Sequence, residues 1–138
     1  MTSFTIDKTF GALTRRDRGV VTLMTFEAAT LAVFAALHLS GTLRFGSNRS
    51  YGAGFAEALI CVALAAGAWA FVRSPRGRGR GAARFSVAFA IFGFIVGLTF
   101  TVDSGDAIEV AYHLTMLPVL VATAALLARR RAAPPRTA

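Results

Sequence analysis

The chain is short of charge and of cysteine. Only 16% of its 138 residues are charged, against about 25% in an average soluble domain, and the mean hydropathy is +0.59. This composition excludes a disordered chain, because disorder requires low hydrophobicity. With Cys61 as the single cysteine, neither an intrachain disulfide framework nor a zinc site of paired cysteines can form. The sequence also lacks a phosphate-binding P-loop, an HExxH zinc motif and a GxSxG nucleophile motif.

Four nearly continuous apolar stretches dominate the sequence. They cover about residues 20–40, 54–72, 85–102 and 107–128. Each is long enough, as a helix, to cross a hydrocarbon core about 30 Å thick, and none shows the alternation of barrel strands. Because a helix satisfies its backbone hydrogen bonds internally, the sequence predicts an all-α integral membrane protein with four transmembrane helices in an antiparallel bundle.

Basic residues are distributed unequally among the segments that flank these stretches. Thirteen of the 15 precede the first stretch, separate the second from the third, or follow the fourth, whereas Arg44 and Arg49 lie between the first two. The positive-inside rule therefore predicts a multi-pass protein of the cell membrane with both termini in the cytoplasm. The basic charge is then explained by topology and by contact with anionic lipid headgroups, and no nucleic-acid partner is expected.

Two short segments flank the transmembrane domain at 20–128. Residues 1–19 are predicted to form a cytoplasmic arm, in which Ile6, Phe10 and Leu13 at helical spacing favour an interfacial helix. Residues 129–138 are predicted to form a basic, disordered tail.

Most ionisable residues of the apolar stretches are predicted to lie at one level, near the outer leaflet. Ionisable side chains are costly inside a membrane and mark candidate functional sites. Helix orientation and a rise of about 1.5 Å per residue place them at the outer end of each helix. We therefore predict a central pocket whose catalytic residues are His38, Glu57, Asp103, Glu109 and His113.

Further side chains share helix faces with this cluster. Residues three, four or seven positions apart lie on one face of a helix. On that basis the predicted substrate-binding residues are Tyr112 and Met116 beside Glu109 and His113, Cys61 beside Glu57, and Thr99 beside Asp103.

Glu27 lies deeper, eleven residues before His38 and on the same face of the first helix. Two interpretations stay open for this carboxyl group. It is either a proton relay at the base of the pocket, or a buried side chain that hydrogen-bonds a neighbouring threonine or meets Arg84.

Histidine facing carboxylates from neighbouring helices suits acid/base catalysis in a water-poor pocket. The sequence favours a small membrane enzyme that admits a lipophilic molecule from the bilayer through a lateral opening. Isomerisation, cyclisation or epoxide opening would need no cofactor. Glu57 or Glu109 would act as base, His113 or His38 as proton donor, and Asp103 would orient one imidazole.

Three other interpretations remain open. Iron, zinc or haem b could bind through His38 and His113, although Glu109 and His113 are four residues apart rather than the three typical of di-iron bundles. Proton-coupled transport through Glu27 would require a homodimer, packed through small residues of the second helix. In a non-catalytic accessory subunit of a membrane complex, the same polar residues would simply lie at the boundary between the membrane and water.

Overall fold

The computed structural model describes residues 13–45, 48–49, 51–104 and 107–129. These residues form four long helices, namely α1 (Arg15–Leu39), α2 (Tyr51–Arg73), α3 (Arg78–Ser104) and α4 (Ala107–Ala128). A two-residue antiparallel strand pair, β1 (Arg44–Phe45) and β2 (Asn48–Arg49), lies between α1 and α2. The predicted interfacial helix falls mainly in residues 1–12, and nearly all of the predicted disordered tail in residues 130–138, outside the described residues.

All four helices are long and apolar enough to cross a membrane. This confirms the prediction of a helical protein with four candidate transmembrane segments. Large apolar side chains also cover the outer faces of the helices; Phe55, Phe85 and Phe100 are 68%, 73% and 68% exposed. Apolar surface of this extent is stable against lipid rather than water, and it indicates a multi-pass membrane protein.

The helices pack in chain order, each against the next, and α1 also contacts α4. Their shared core contains Met24, Leu64, Phe71 and Leu120, which are fully buried. Contact between α2 and α3 is close at Gly67, where an added Cβ would lie 2.4 Å from the hydroxyl oxygen of Ser86. Small residues permit this kind of approach between helices in lipid.

The first helix begins earlier than hydropathy predicts. Residues 15–19, assigned to the arm, form the first turn of α1. Thr14 and Asp17 form a capping box, in which the Thr14 hydroxyl accepts from the Asp17 backbone N–H and the Asp17 carboxylate accepts from the Thr14 backbone N–H. This reciprocal capping satisfies N–H groups that have no partner within the helix.

The third helix also begins early, at Arg78 instead of the predicted Phe85, within the basic segment that separates the second apolar stretch from the third. In its first turn, Arg80 donates to the carboxylate of Asp17 at 3.1 Å. Charged helical turns of this kind escape hydropathy analysis because their arginines lower the apolar average.

Arginines also bind the C-terminal end of α4. The carbonyl of Leu127 accepts hydrogen bonds from Arg80 and Arg84, at distances between 2.9 and 3.2 Å. Arg16 donates to the carbonyl of Arg129 at 2.7 Å. The last carbonyls of a helix lack helical partners, and positive charge is favourable there. These side chains therefore join α1, α3 and α4 at the arginine-rich end of the protein.

Candidate functional site

The site is built around His38, which lies in the last turn of α1. Its Nδ1 is 2.7 Å from Oε2 of Glu57 on α2, and its Nε2 is 2.6 Å from Oε1 of Glu109 on α4. His38 and Glu109 are each 1% exposed and Glu57 is 8% exposed. Three helices thus contribute one side chain each to a buried carboxylate–imidazole–carboxylate chain, which we call the Glu57–His38–Glu109 chain.

Close packing of α1 against α2 holds this chain together. Gly54 lies one turn before Glu57, and a Cβ at this glycine would lie 3.0 Å from Cβ of His38 and 2.9 Å from Cγ of Leu39. A larger residue would therefore force the two helices apart at the level of the hydrogen bonds. Glycine at this position lets the carboxylate of α2 reach the ring on α1.

Two hydrogen bonds along the chain require two protons between three groups. A neutral imidazole donates through one nitrogen only, and an ionised carboxylate only accepts. Either the ring is protonated and donates to both carboxylates, or one carboxylic acid donates to the ring while the ring donates to the other carboxylate. Both arrangements carry the same net charge of −1, so a proton can move between Glu57 and Glu109 through His38 without a change in total charge.

His113 lies one turn beyond Glu109 on α4, and its ring has a defined tautomer. Nδ1 is 2.9 Å from the backbone carbonyl oxygen of Glu109, which can only accept, so Nδ1 carries the hydrogen. Nε2 has no hydrogen-bond partner within the part of the chain that the structure describes. In the neutral ring this nitrogen presents a lone pair, as a general base requires.

The His113 ring is held by its neighbours. Its centroid lies 5.1 Å from that of Phe94 and 5.8 Å from that of Tyr112. On the α3 side, Gly97 leaves the space that Nε2 occupies, because a Cβ there would lie 2.5 Å from this nitrogen. Because position 97 has no side chain, the His113 ring can lie in this place beside α3.

Residues of all four helices, mostly of α2, α3 and α4, line a cavity of about 640 Å³ that includes these groups. Its polar lining comes from Glu57, Thr101, Glu109, Tyr112 and His113, and most of the remaining lining is apolar, including Leu31, Leu59, Ile60, Phe89, Phe92, Phe94, Val96 and Phe100. A volume of this size suits a drug-sized molecule, and a mostly apolar wall with a few polar groups is typical of ligand sites.

The cavity is open on the side formed by α2 and α3. Among its lining residues, Leu59 on α2 is 60% exposed, and Phe92 and Phe100 on α3 are 65% and 68% exposed. These side chains lie within helices that are candidate membrane spans. The opening therefore faces the region that lipid would occupy, as a lateral entrance requires.

Tyr112 is the one predicted substrate-binding residue that lines the cavity. Its ring stacks on Phe34 of α1 with a centroid distance of 3.7 Å. Tyr112 thus contacts α1 from its position on α4, and its ring meets the His113 ring in an edge-on arrangement. The structure thus gives Tyr112 both a packing role and contact with the cavity.

The other predicted substrate-binding residues lie outside the cavity lining. Met116 is buried in the core, and Cys61 is half-buried against it. Thr99 is exposed and its hydroxyl donates to the backbone carbonyl of Val96 at 2.7 Å. None of the three faces the Glu57–His38–Glu109 chain from the cavity side.

Asp103 is the one predicted catalytic residue that the structure keeps apart from the others. It lies near the end of α3, and its side chain is exposed. Both nitrogens of His38 bond to glutamates, and Nδ1 of His113 bonds to a backbone carbonyl. Orientation of an imidazole therefore comes from Glu57, Glu109 and the α4 backbone. The neighbouring acidic residue Asp106 lies outside the described residues.

Glu27 is buried at 1% exposure, and its Oε1 accepts a hydrogen bond from the hydroxyl of Thr123 on α4 at 2.9 Å. This contact matches the interpretation of a carboxyl group bonded to a neighbouring threonine. Arg84, the other partner considered, donates instead to Leu127. Oε2 of Glu27 has no hydrogen-bond partner among the described residues, and Glu27 does not line the cavity.

The histidines do not fit a metal or haem site of the type considered from the sequence. Both ring nitrogens of His38 are taken by carboxylates, which leaves none to ligate haem iron jointly with His113. Among the described residues, no group of three or more His, Cys, Asp or Glu side chains has an arrangement that could hold a metal ion.

The aromatic wall of the cavity is not among the site residues predicted from the sequence. Phe89, Phe92 and Phe100 line the cavity together with Gly93 and Gly97. These five residues lie on one helical face. That stripe of aromatic residues and glycines was the signal available in the sequence.

Comparisons with protein-family models, with curated proteins and with solved structures find no match for this chain.

Proposed function

We propose that this protein is an integral membrane enzyme that performs acid/base chemistry on a lipophilic molecule. The observation that supports it is the buried Glu57–His38–Glu109 chain, whose two glutamates line an apolar cavity. Buried ionisable groups inside a membrane are costly and mark functional sites. A structural role alone gives no reason for both carboxylates to face an open cavity.

The groups have complementary roles. His113, expected from the sequence to be a proton donor, is the base in this proposal: it accepts a proton from the bound molecule through Nε2, the lone-pair nitrogen of its tautomer. Glu57 or Glu109, whichever holds the acid proton of the chain, donates it at another position, and His38 allows either carboxyl group to be the one that holds it. The cycle closes when His113 releases its gained proton to water and the chain takes up one proton from water. Proton removal and return of this kind produce isomerisation, and donation to an alkene or an epoxide oxygen starts cyclisation or ring opening.

The apolar wall defines the substrate class. With phenylalanines and aliphatic side chains around the cavity and an opening towards lipid, the substrate is a lipophilic molecule that partitions into the bilayer. It enters laterally between α2 and α3 and places its reacting atoms beside the glutamates. Exclusion of water by this wall strengthens the electrostatic interactions at the reacting atoms.

Deuterium incorporation tests the proposal without knowledge of the substrate. The purified protein is reconstituted in vesicles made from a lipid extract of its own host and incubated in deuterium oxide, and the apolar small molecules are analysed by mass spectrometry. We expect a molecule that gains deuterium with wild-type protein, and a loss of this gain in His113→Ala and in Glu57→Gln.

Thr115→Val is the matched control, because Thr115 is an exposed residue of α4 whose hydroxyl donates only to the backbone of its own helix. This variant should retain the deuterium gain. Equal incorporation in wild type, His113→Ala and Glu57→Gln would refute the acid/base proposal.

We also propose that the four helices run antiparallel in the cell membrane, with both termini and the α2–α3 connection in the cytoplasm. The support is the position of thirteen of the 15 basic residues on one side. In this arrangement the Glu57–His38–Glu109 chain lies near the outer leaflet.

Cysteine labelling in intact cells checks this orientation. In a Cys61→Ala background, Arg49→Cys should react with a membrane-impermeant maleimide, whereas Arg76→Cys should react only after the cells are permeabilised. Labelling of Arg76→Cys in intact cells, with Arg49→Cys protected, would establish the opposite orientation.

A further inference from the structure

A second cavity lies between α3 and α4, away from the Glu57–His38–Glu109 chain. It has a volume of about 390 Å³ and is lined by Arg84, Ala88, Ile91, Ala124 and Ala128. We call it the α3–α4 groove. No residue of this groove belongs to the first cavity, and the proposed catalytic chemistry does not use it.

Small side chains create the groove. Residues 84, 88 and 91 lie on one face of α3, and residues 124 and 128 lie on one face of α4. Three of these five residues are alanines, so the facing surfaces leave space that larger side chains would fill. From residue 84 to residue 91 the groove extends about 10 Å along α3, at about 1.5 Å per residue.

Positive charge is concentrated at one end of this apolar groove. Arg84 is exposed and has five N–H groups, two of which donate to the carbonyl of Leu127. The other three make no hydrogen bond to described residues. Arg129, also exposed, follows the groove residue Ala128 directly. The groove thus has an apolar surface of alanines and Ile91, with positive charge at one end.

We propose that the α3–α4 groove binds one anionic phospholipid, with an acyl chain against the alanines and Ile91 and the phosphate at Arg84. An ordinary phospholipid has the required shape, and a negatively charged headgroup complements the guanidinium. An inorganic anion would contact only Arg84 and would leave the apolar surface of the groove uncovered. The Leu127 carbonyl fixes the Arg84 side chain in position, which lowers the entropy cost of binding the phosphate.

Lipid binding is measured on the delipidated full-length protein in a neutral detergent by native mass spectrometry. Phosphatidylglycerol and phosphatidylcholine with identical acyl chains are titrated separately. We expect one phosphatidylglycerol to bind more tightly than phosphatidylcholine. Arg84→Gln should weaken binding of phosphatidylglycerol about fivefold, the effect of one arginine near an anionic surface, and leave phosphatidylcholine unchanged.

Two further variants separate the groove from general attraction to a basic surface. Arg76→Gln removes an exposed arginine from the α2–α3 connection outside the groove and should leave binding unchanged. Ala124→Leu fills the groove while every arginine stays, and should weaken binding of phosphatidylglycerol.

Three outcomes would overturn the proposal. Equal losses in Arg84→Gln and Arg76→Gln would show diffuse attraction to the basic end of the protein. Unchanged binding in Ala124→Leu would show that the acyl chain does not use the groove. Complete displacement of the lipid by millimolar inorganic phosphate would show a site for the phosphate group alone.

Discussion

Replacement of His38 by leucine is expected to destabilise the protein by about 3–5 kcal/mol, as removal of one partner of a buried ion pair does. The ring bonds to Glu57 at 2.7 Å and to Glu109 at 2.6 Å, and all three side chains are buried. Without the imidazole, two carboxyl groups from α2 and α4 lose their shared partner. Thermal unfolding of the purified protein in detergent micelles measures the effect as a lower Tm.

A triple variant provides the decisive comparison. His38→Leu, Glu57→Leu and Glu109→Leu together replace the whole buried chain by apolar side chains, a change that is often neutral for stability. We expect the triple variant to recover most of the Tm lost in His38→Leu, while it shows no deuterium incorporation. His113→Leu removes a hydrogen bond to a backbone carbonyl and replaces the ring by an apolar side chain of similar size, so it should cost about 1 kcal/mol. A wild-type Tm for His38→Leu, or a triple variant no more stable than the single one, would contradict this account.

That His38, Glu57, Glu109 and His113 lie at a common height along the helices could be predicted from the sequence, because this height depends only on counting residues. A fixed rise per residue, together with the alternating helix directions that we propose, gives these residues this common height. Their rotation about each helix axis is harder to predict. Asp103 lies near the end of α3 with an exposed side chain, because the packing of α3 against its neighbours decides which face is buried.

Partner choice within the site could not be predicted for a related reason. Whether a glutamate bonds to His38 or to His113 depends on distances between helix axes, which are set by contacts such as that of Gly54 with Leu39. No local pattern in the sequence encodes such a distance. Hydropathy likewise finds the apolar part of each helix but not its charged first turn, as at Arg78 in α3.

Gly97→Ala is expected to remove most of the deuterium incorporation, although the substitution adds a single methyl group. The new Cβ would lie 2.5 Å from Nε2 of His113, closer than the two atoms can approach, so the ring must move away from the cavity position that we assign to the base. Overpacking of this kind costs about 1–3 kcal/mol. Incorporation per folded protein, measured beside the Tm, separates the loss of the base from a loss of folded protein.

Substitutions at two other glycines serve as controls for Gly97→Ala. At Gly67 an added Cβ would lie 2.4 Å from the Ser86 hydroxyl, and neither residue lines the cavity, so Gly67→Ala should lower the Tm but leave incorporation per folded protein intact. At Gly81 an added Cβ meets nothing within 4 Å, and Gly81→Ala in a helix should stabilise by about 0.5–1 kcal/mol.

A double-variant cycle then assigns the clash to the ring itself. If His113 occupies the space beside Gly97, the Tm loss caused by Gly97→Ala should largely disappear in a His113→Ala background, where the ring is absent. The same loss in both backgrounds would mean that another group meets the new methyl, and that position 97 does not hold the candidate base in place. Relief of the clash, together with lost incorporation in each single variant, would link the missing side chain on α3 directly to proton transfer at His113.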